Sequence, residues 1–352
     1  MPMSFKIFWM FFTYLLWGSV CYTGINIPYG SMASAISPEA GDRQQLSSWR
    51  TIGATLANMV IGVVLPMVIY YKNDAGNTVL SGSAMSIAAV ACSICAVICY
   101  LLCYNLTTER VKIEKDTEKF NFLHLLKYLV TNRALIGIIV AAIMLLLAQL
   151  TLSGMGQYIF PNYFGSAGGM STANMIYAVM TILLAFIIPS LADRYGKKEL
   201  AAFGALVGAA ALIVAYFVHT TNVVVWIVFW EIAYFGIAFF NVTCWAMITD
   251  VIDDAEVRTG KRQDGTIYAV YSFARKLGQA ASSGLSGGLL TLIGYTEATA
   301  FEQGVLDGIY NITCLVPAAG FILLALALIF IYPLSKKKVN ANVEYLKKQR
   351  GE

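Results

Sequence analysis

Nine long apolar stretches follow one another along the chain, at about residues 5–32, 44–71, 79–104, 134–160, 171–192, 200–218, 223–249, 265–294 and 311–334. At about 1.5 Å of rise per residue, each is long enough as a helix to cross a hydrocarbon layer about 30 Å thick. The short alternating segments of a closed barrel are not seen. The pattern therefore predicts an all-α polytopic membrane protein with nine spans. Short polar loops join them, with one long linker at 105–133. In its second half Phe120, Leu123, Leu126 and Val130 fall at helical spacing, with His124 and Lys127 between them. That predicts a short amphipathic helix on the inner membrane surface. The expected organisation is a three-span bundle over 1–104, the linker, a six-span bundle over 134–335, and a basic tail over 336–352. Many transporters join two related six-helix halves by such a linker. Three spans before it and six after lead to the expectation of a first half lacking three helices, lost or encoded separately.

Composition agrees: 58% of residues are apolar and 12% charged, with a mean hydropathy of +0.68, well outside the soluble range. The net charge of +4 is no nucleic-acid signal, because the basic residues are concentrated in alternate loops. Residues 33–43, 105–133, 193–199, 250–264 and the tail hold nineteen Lys and Arg, against Lys6 and Lys72 on the other side. This bias predicts a multi-pass protein of the cell's inner membrane, with a cytoplasmic C-terminus and an outside N-terminus. The seven cysteines lie in or at the ends of apolar helices and describe no disulfide framework. Cys92, Cys95, Cys99 and Cys103 share a helix face and read as packing residues without further metal ligands nearby. Two histidines, His124 and His219, offer no triad, and no phosphate loop appears, so an enzyme is not expected.

The strongest short motif is LADRYGKK at 191–198. Gly196 permits a tight turn, Lys197 and Lys198 suit an inner surface, and an Asp193–Arg194 pair is expected to bridge neighbouring helices. Inside the spans, ionisable groups are costly and need a partner or a wet cavity. Arg50, Arg275 and Lys276 qualify. Adjacent helical residues point about 100° apart, so only one of Arg275 and Lys276 is expected to face a given cavity. Arg50 and Lys276 are taken as the pair that does, suiting hydroxyl-rich or anionic ligands. Asn26 stands in TGINIPYGSM, where Pro28 is expected to bend the helix, and would bond a ligand or cross-link helices. Asn241 and Trp245 are equally open. Glu231, a lone acid, is expected to pair with a neighbouring helix. Asp250, Asp253, Asp254 and Glu256, followed by Arg258, Lys261 and Arg262, predict an inner-face charge network.

WGSVCYTGINIPYGSM, GDRQQLSSWRTIGATLAN, DVIDDAEVRTGKRQDGTIYAVYSFARKLGQ and IYPLSKKK resemble the glycoside–pentoside–hexuronide cation symporter family, sugar carriers of the major facilitator superfamily. The similarity covers essentially the whole chain and implies that its spans match family helices 4 to 12. It implies a sugar:cation symporter working by alternating access, with a small sugar or glycoside and the lipid bilayer as partners. No cofactor is implied beyond a coupling sodium ion or proton, whose main acidic ligands in the family fall outside the matched helices. Arg50 and Lys276 match basic residues of the family's sugar site. Asn26 stands where the melibiose branch has an acid, and Gly30 and Asn241 where it has aromatics, which points away from melibiose, while the RKLGQ and IYPLSKKK segments resemble the glucuronide and xyloside carriers. A lysophospholipid-like substrate, as in an animal branch of the family, and a non-transporting receptor or fragment are the alternatives.

Overall fold

The computed structural model describes residues 2–37, 39–61, 70–72, 78–110, 132–296 and 298–350. Helix α1 (Met3–Leu15) passes through a π-helical turn, Leu16–Cys21, into α2 (Tyr22–Ile36), and α3 follows at Ala40–Met59. A short antiparallel ladder, β1 (Tyr70–Lys72) with β2 (Thr78–Leu80), precedes α4 (Gly82–Leu106). The second half comprises α5 (Arg133–Tyr158), α6 (Ala167–Tyr195), α7 (Lys197–Val218), α8 (Val223–Thr259), α9 (Asp264–Leu292), α10 (Gln303–Leu326) and α11 (Lys336–Arg350). Polar side chains start several of these helices. Asn132 accepts from the backbone N–H groups of Ala134 and Leu135, and Asn222 from that of Val224, satisfying donors that a first turn leaves free.

Among the described residues, seven helices are long and apolar enough to cross a membrane. The two other expected spans are α3 and α9, which carry Arg50 and the Arg275–Lys276 pair. The second span was expected to run to residue 71, but Tyr70–Lys72 is extended and paired with Thr78–Leu80, so the helix ends before residue 70. Residues 62–69 and the linker helix expected around 120–130 lie outside the described residues. The expected loop at 250–264 is a second correction. Here α8 continues to Thr259, because cations from several elements neutralise its acidic end. The tail likewise forms a helix, α11, that buries Asn342 and Leu346. The first helix departs from α geometry at Leu16–Cys21, while Pro28 lies within regular α-helix.

Most of the core lies in the second half. Leu145, Trp226, Phe240, Tyr271 and Phe321 are fully buried in one cluster built by α5, α8, α9 and α10 with α7. A smaller cluster, with Ile52 of α3 against Leu184 and Ile188 of α6 and Val242 of α8, ties the first half to it. By contrast α1 and α4 bury no residue. On α9, Ile267, Tyr268, Tyr271, Ala274, Gly278 and Ser282 form one buried stripe at helical spacing.

The tightest helix pair is α7 with α8. Gly204 and Gly208 of the GALVG string face Gly236, whose missing side chain brings the two backbones together. Any Cβ at Gly236 would overlap the backbone of Gly204 and Gly208, which cannot swing aside. Gly236→Ala should therefore lower stability by about 1–3 kcal/mol, read as a lower unfolding midpoint in detergent. Gly284→Ala, with open space around it, is the control; equal midpoints for the two variants would refute this packing role.

Candidate functional site

Arg50 rises from the middle of α3 into an aromatic setting. Its guanidinium lies over the Trp245 ring at 3.6 Å from the centroid and 4.9 Å from that of Tyr29. It donates to the Tyr268 hydroxyl at 2.7 Å and to Asn26 Oδ1 at 3.2 Å. Three helices besides α3 thus meet on one cation: α2 through Asn26, α8 through Trp245 and α9 through Tyr268. None of these partners is an acid, so the positive charge is held by ring faces and neutral acceptors and stays available to an anion. Gly30 makes room for this arrangement, since any side chain there would overlap the Tyr268 ring.

Arg50 and Asn26 line a cavity of about 840 Å³ between α2, α3 and α4, with Trp17, Tyr22, Trp49 and Tyr100 among its walls. A smaller cavity of about 180 Å³ adjoins it, sharing Tyr29, Leu46, Arg50 and Cys103. Aromatic faces beside a fork of hydrogen-bond donors can stack a ring-shaped polar solute and fix its hydroxyl or acidic groups.

The two adjacent cations of α9 diverge, as helical geometry requires, but not in the expected way. Arg275 lies over Trp245 at 5.2 Å and donates to the Tyr271 hydroxyl at 3.3 Å, so it shares an aromatic platform with Arg50. Lys276 turns toward α2. It donates to the Gly18 carbonyl in the π-helical turn and to Thr23 Oγ1 at 2.9 Å, with the Tyr22 ring 4.8 Å away. Thr23 and Asn26 are three residues apart on α2, so Lys276 and Arg50 bracket one helical turn rather than converge on one point. Asn241 bonds Gln149 of α5 at 3.2 Å, joining two helices. Glu231 does not pair as expected: both carboxyl oxygens are buried without a hydrogen-bond partner among the described residues.

At the end where the basic segments gather, the acidic end of α8 is the hub. Lys197 pairs with Asp250 at 2.8 Å, Arg43 with Asp253 at 2.5 Å, and Arg262 with Asp253, Glu256 and Asp264. From α11, Asn342 bonds Asp254, Arg350 bonds Glu256, and Lys347 reaches Glu39 beside α3. Asp253 is thus held between two guanidinium groups, Arg43 at 2.5 Å and Arg262 at 3.1 Å. In the 191–198 motif, Gly196 adopts φ of +101° between α6 and α7, as a tight turn needs. The charged bridge differs from expectation. Asp193 and Arg194 are exposed, and Lys197 ties α7 to α8 instead, because it is the residue directed at the buried Asp250.

The MFS/sugar transport protein family profile matches residues 1–336. The chain belongs to that family. It is 30% identical over 336 residues to the uncharacterised symporter YjmB of Bacillus subtilis, covering 95% of this chain and 71% of that one. It is 29% identical to the glucuronide carrier protein homolog of Escherichia coli, with the same two coverages. Among solved structures, the fucose:proton symporter of E. coli superposes with a TM-score of 0.63 at 14% identity, over 88% of this chain and 74% of that one. The last likeness shows the fold of the major facilitator superfamily. The family is one of transporters, and the glycoside–pentoside–hexuronide type is the one the motifs and the profile share.

Sequence reasoning paired Arg50 with Lys276 and held Asn26 and Asn241 as further candidates; of these Asn26 meets Arg50 directly, while Arg43, Tyr268 and the platform role of Trp245 were passed over. A usable signal was present, since Arg43 precedes Arg50 by seven residues, two turns on the same face of α3. The Lys197–Asp250 pair gives a direct test of the hub. Lys197→Met would leave Asp250, whose side chain is 1% exposed, without its cation and should cost about 3–5 kcal/mol. Lys197→Met with Asp250→Asn should recover much of that loss in chemical denaturation. Purely additive losses would show that the pair does not act as a unit.

Proposed function

We propose that this chain is a secondary transporter for a small sugar-like solute bearing an acidic group, a hexuronide or related glycoside, moved together with a cation by alternating access. The observation that carries the reading is Arg50. It is a cation in the middle of α3, lining a cavity, with aromatic rings and neutral oxygens but no carboxylate against it among the described residues. The relation to a glucuronide carrier homolog supports an acidic sugar. In this reading the basic end is cytoplasmic. The ties Arg43–Asp253, Ser47 to the Val242 carbonyl, and Lys347–Glu39 then close the inner face, and the state is outward-facing. Passage inward requires these ties to part.

The test is uptake of labelled D-glucuronate and of a neutral xyloside by cells or vesicles carrying the chain. Arg50→Gln should lower kcat/KM for D-glucuronate about 10–100-fold, the worth of a charge-assisted hydrogen bond, and spare the neutral sugar by comparison. An inward sodium or proton gradient should accelerate uptake in the wild type. Equal losses for both sugars would remove the acidic-group role of Arg50, and no uptake of either by the wild type would sink the transport reading.

A further inference from the structure

We propose that Arg43 is a second anion subsite, two turns from Arg50 toward the basic end, which takes the carboxylate or sulfonate of a solute on its way through. This deepens the acidic-solute reading above and rests on it for the identity of the solute. Arg43 and Arg50 are seven residues apart on α3, about 10 Å along one helix face. Both line the smaller cavity, which adjoins the larger one at Arg50. Arg43 is only 1% exposed, yet its Nε and Nη1 are buried without a hydrogen-bond partner among the described residues. Its Nη2 is engaged by Asp253. A guanidinium carries five donors and is always charged, and leaving buried donors unsatisfied is costly. An anion that drew the Arg43 side chain into the cavity would be met by donors that the protein leaves without a partner among the described residues.

The neighbouring charges favour such a site. Asp253 is shared between Arg43 and Arg262, so its negative charge is divided between two cations. Arg262, joined to Arg43 through Asp253, adds a second cation beside the site, and Arg50 lines the same cavity. An anion on Arg43 would compete with Asp253 for one guanidinium, and the Arg43–Asp253 contact is one of the ties between α3 and α8. Occupancy of the subsite therefore loosens a tie that holds the basic end closed. The solute's own acidic group would help to release the gate ahead of it.

The purified full chain can be tested with inorganic sulfate and with D-glucuronate as separate probes, read by the fluorescence of Trp245, with Trp245→Phe identifying its signal among the six tryptophans. Sulfate should still change this signal in Arg50→Gln, lose the effect in Arg43→Gln, and act at several-fold lower concentration in Asp253→Asn, which removes the competitor. Arg43→Gln leaves Asp253 paired with Arg262, and Asp253→Asn keeps Arg43 itself, so the two variants test the subsite in opposite directions. A sulfate response that survives Arg43→Gln, or one that Asp253→Asn does not sharpen, overturns the proposal. D-Glucuronate should lose about tenfold in affinity in Arg43→Gln. If the sulfate pattern holds while no form of the protein binds D-glucuronate, the subsite stands and the sugar reading falls.

Discussion

The arrangement depends on one constraint: a guanidinium placed in the middle of a helix, beside an aromatic-lined cavity, must be stabilised without being neutralised. A carboxylate partner would quench the charge, and bare hydrocarbon would make it prohibitively costly. Arg50 meets the constraint with the Trp245 face at 3.6 Å, the Tyr268 hydroxyl and the Asn26 amide oxygen. Those partners belong to α8, α9 and α2, so satisfying one side chain fixes the mutual placement of four helices. The absence of a side chain at Gly30 and the seating of Tyr268 then follow as steric consequences.

Charge is handled in the opposite manner at the basic end. There the acids of α8 are buried against cations in a branched network, Arg262 alone bonding three carboxylates. Buried pairs of this kind add little net stability over apolar packing, but losing one partner is severe. They suit a contact that must be made and broken as a unit. Arg43 belongs to both regimes. One of its nitrogens closes the network, two others are buried without a hydrogen-bond partner among the described residues, and the residue lines the cavity that Arg50 shares.

Much of the fold was legible because its signal is coarse and physical. Twenty apolar residues in a row admit few structures in lipid. What was misjudged lay where tertiary contacts override local pattern. The acidic run 250–256 reads as a loop by polarity, yet pairing with α3, α7 and α11 keeps it helical. The 336–350 segment reads as a solvated tail, yet Asn342, Leu346 and the reach of Lys347 to Glu39 dock it as a helix. At the site, ionisable residues within spans were conspicuous. Their convergence was not, because which of two adjacent cations meets Arg50 depends on the rotation of α9, set by the buried stripe through Tyr268, Tyr271 and Ala274.

That rotation also explains why Arg275 and Lys276 have separate roles. The stripe presses α9 onto α5, which leaves positions 275 and 276 at the edge nearest α2 and α8. Arg275 falls back over Trp245, and Lys276 extends to the π-helical turn, where the Gly18 carbonyl receives it. A helix with i→i+5 pairing is wider and re-aims its carbonyls, so a distortion in the first helix becomes an anchor for a cation on the ninth. The cavity around Arg50 is thereby held from two sides, by an aromatic platform shared between two arginines and by a lysine tie across the mouth of α2. A solute that draws on Arg50 must disturb Trp245, and through Trp245 it reaches Arg275 and the packing of α9. That single ring couples the surroundings of Arg50 to the packing of α9.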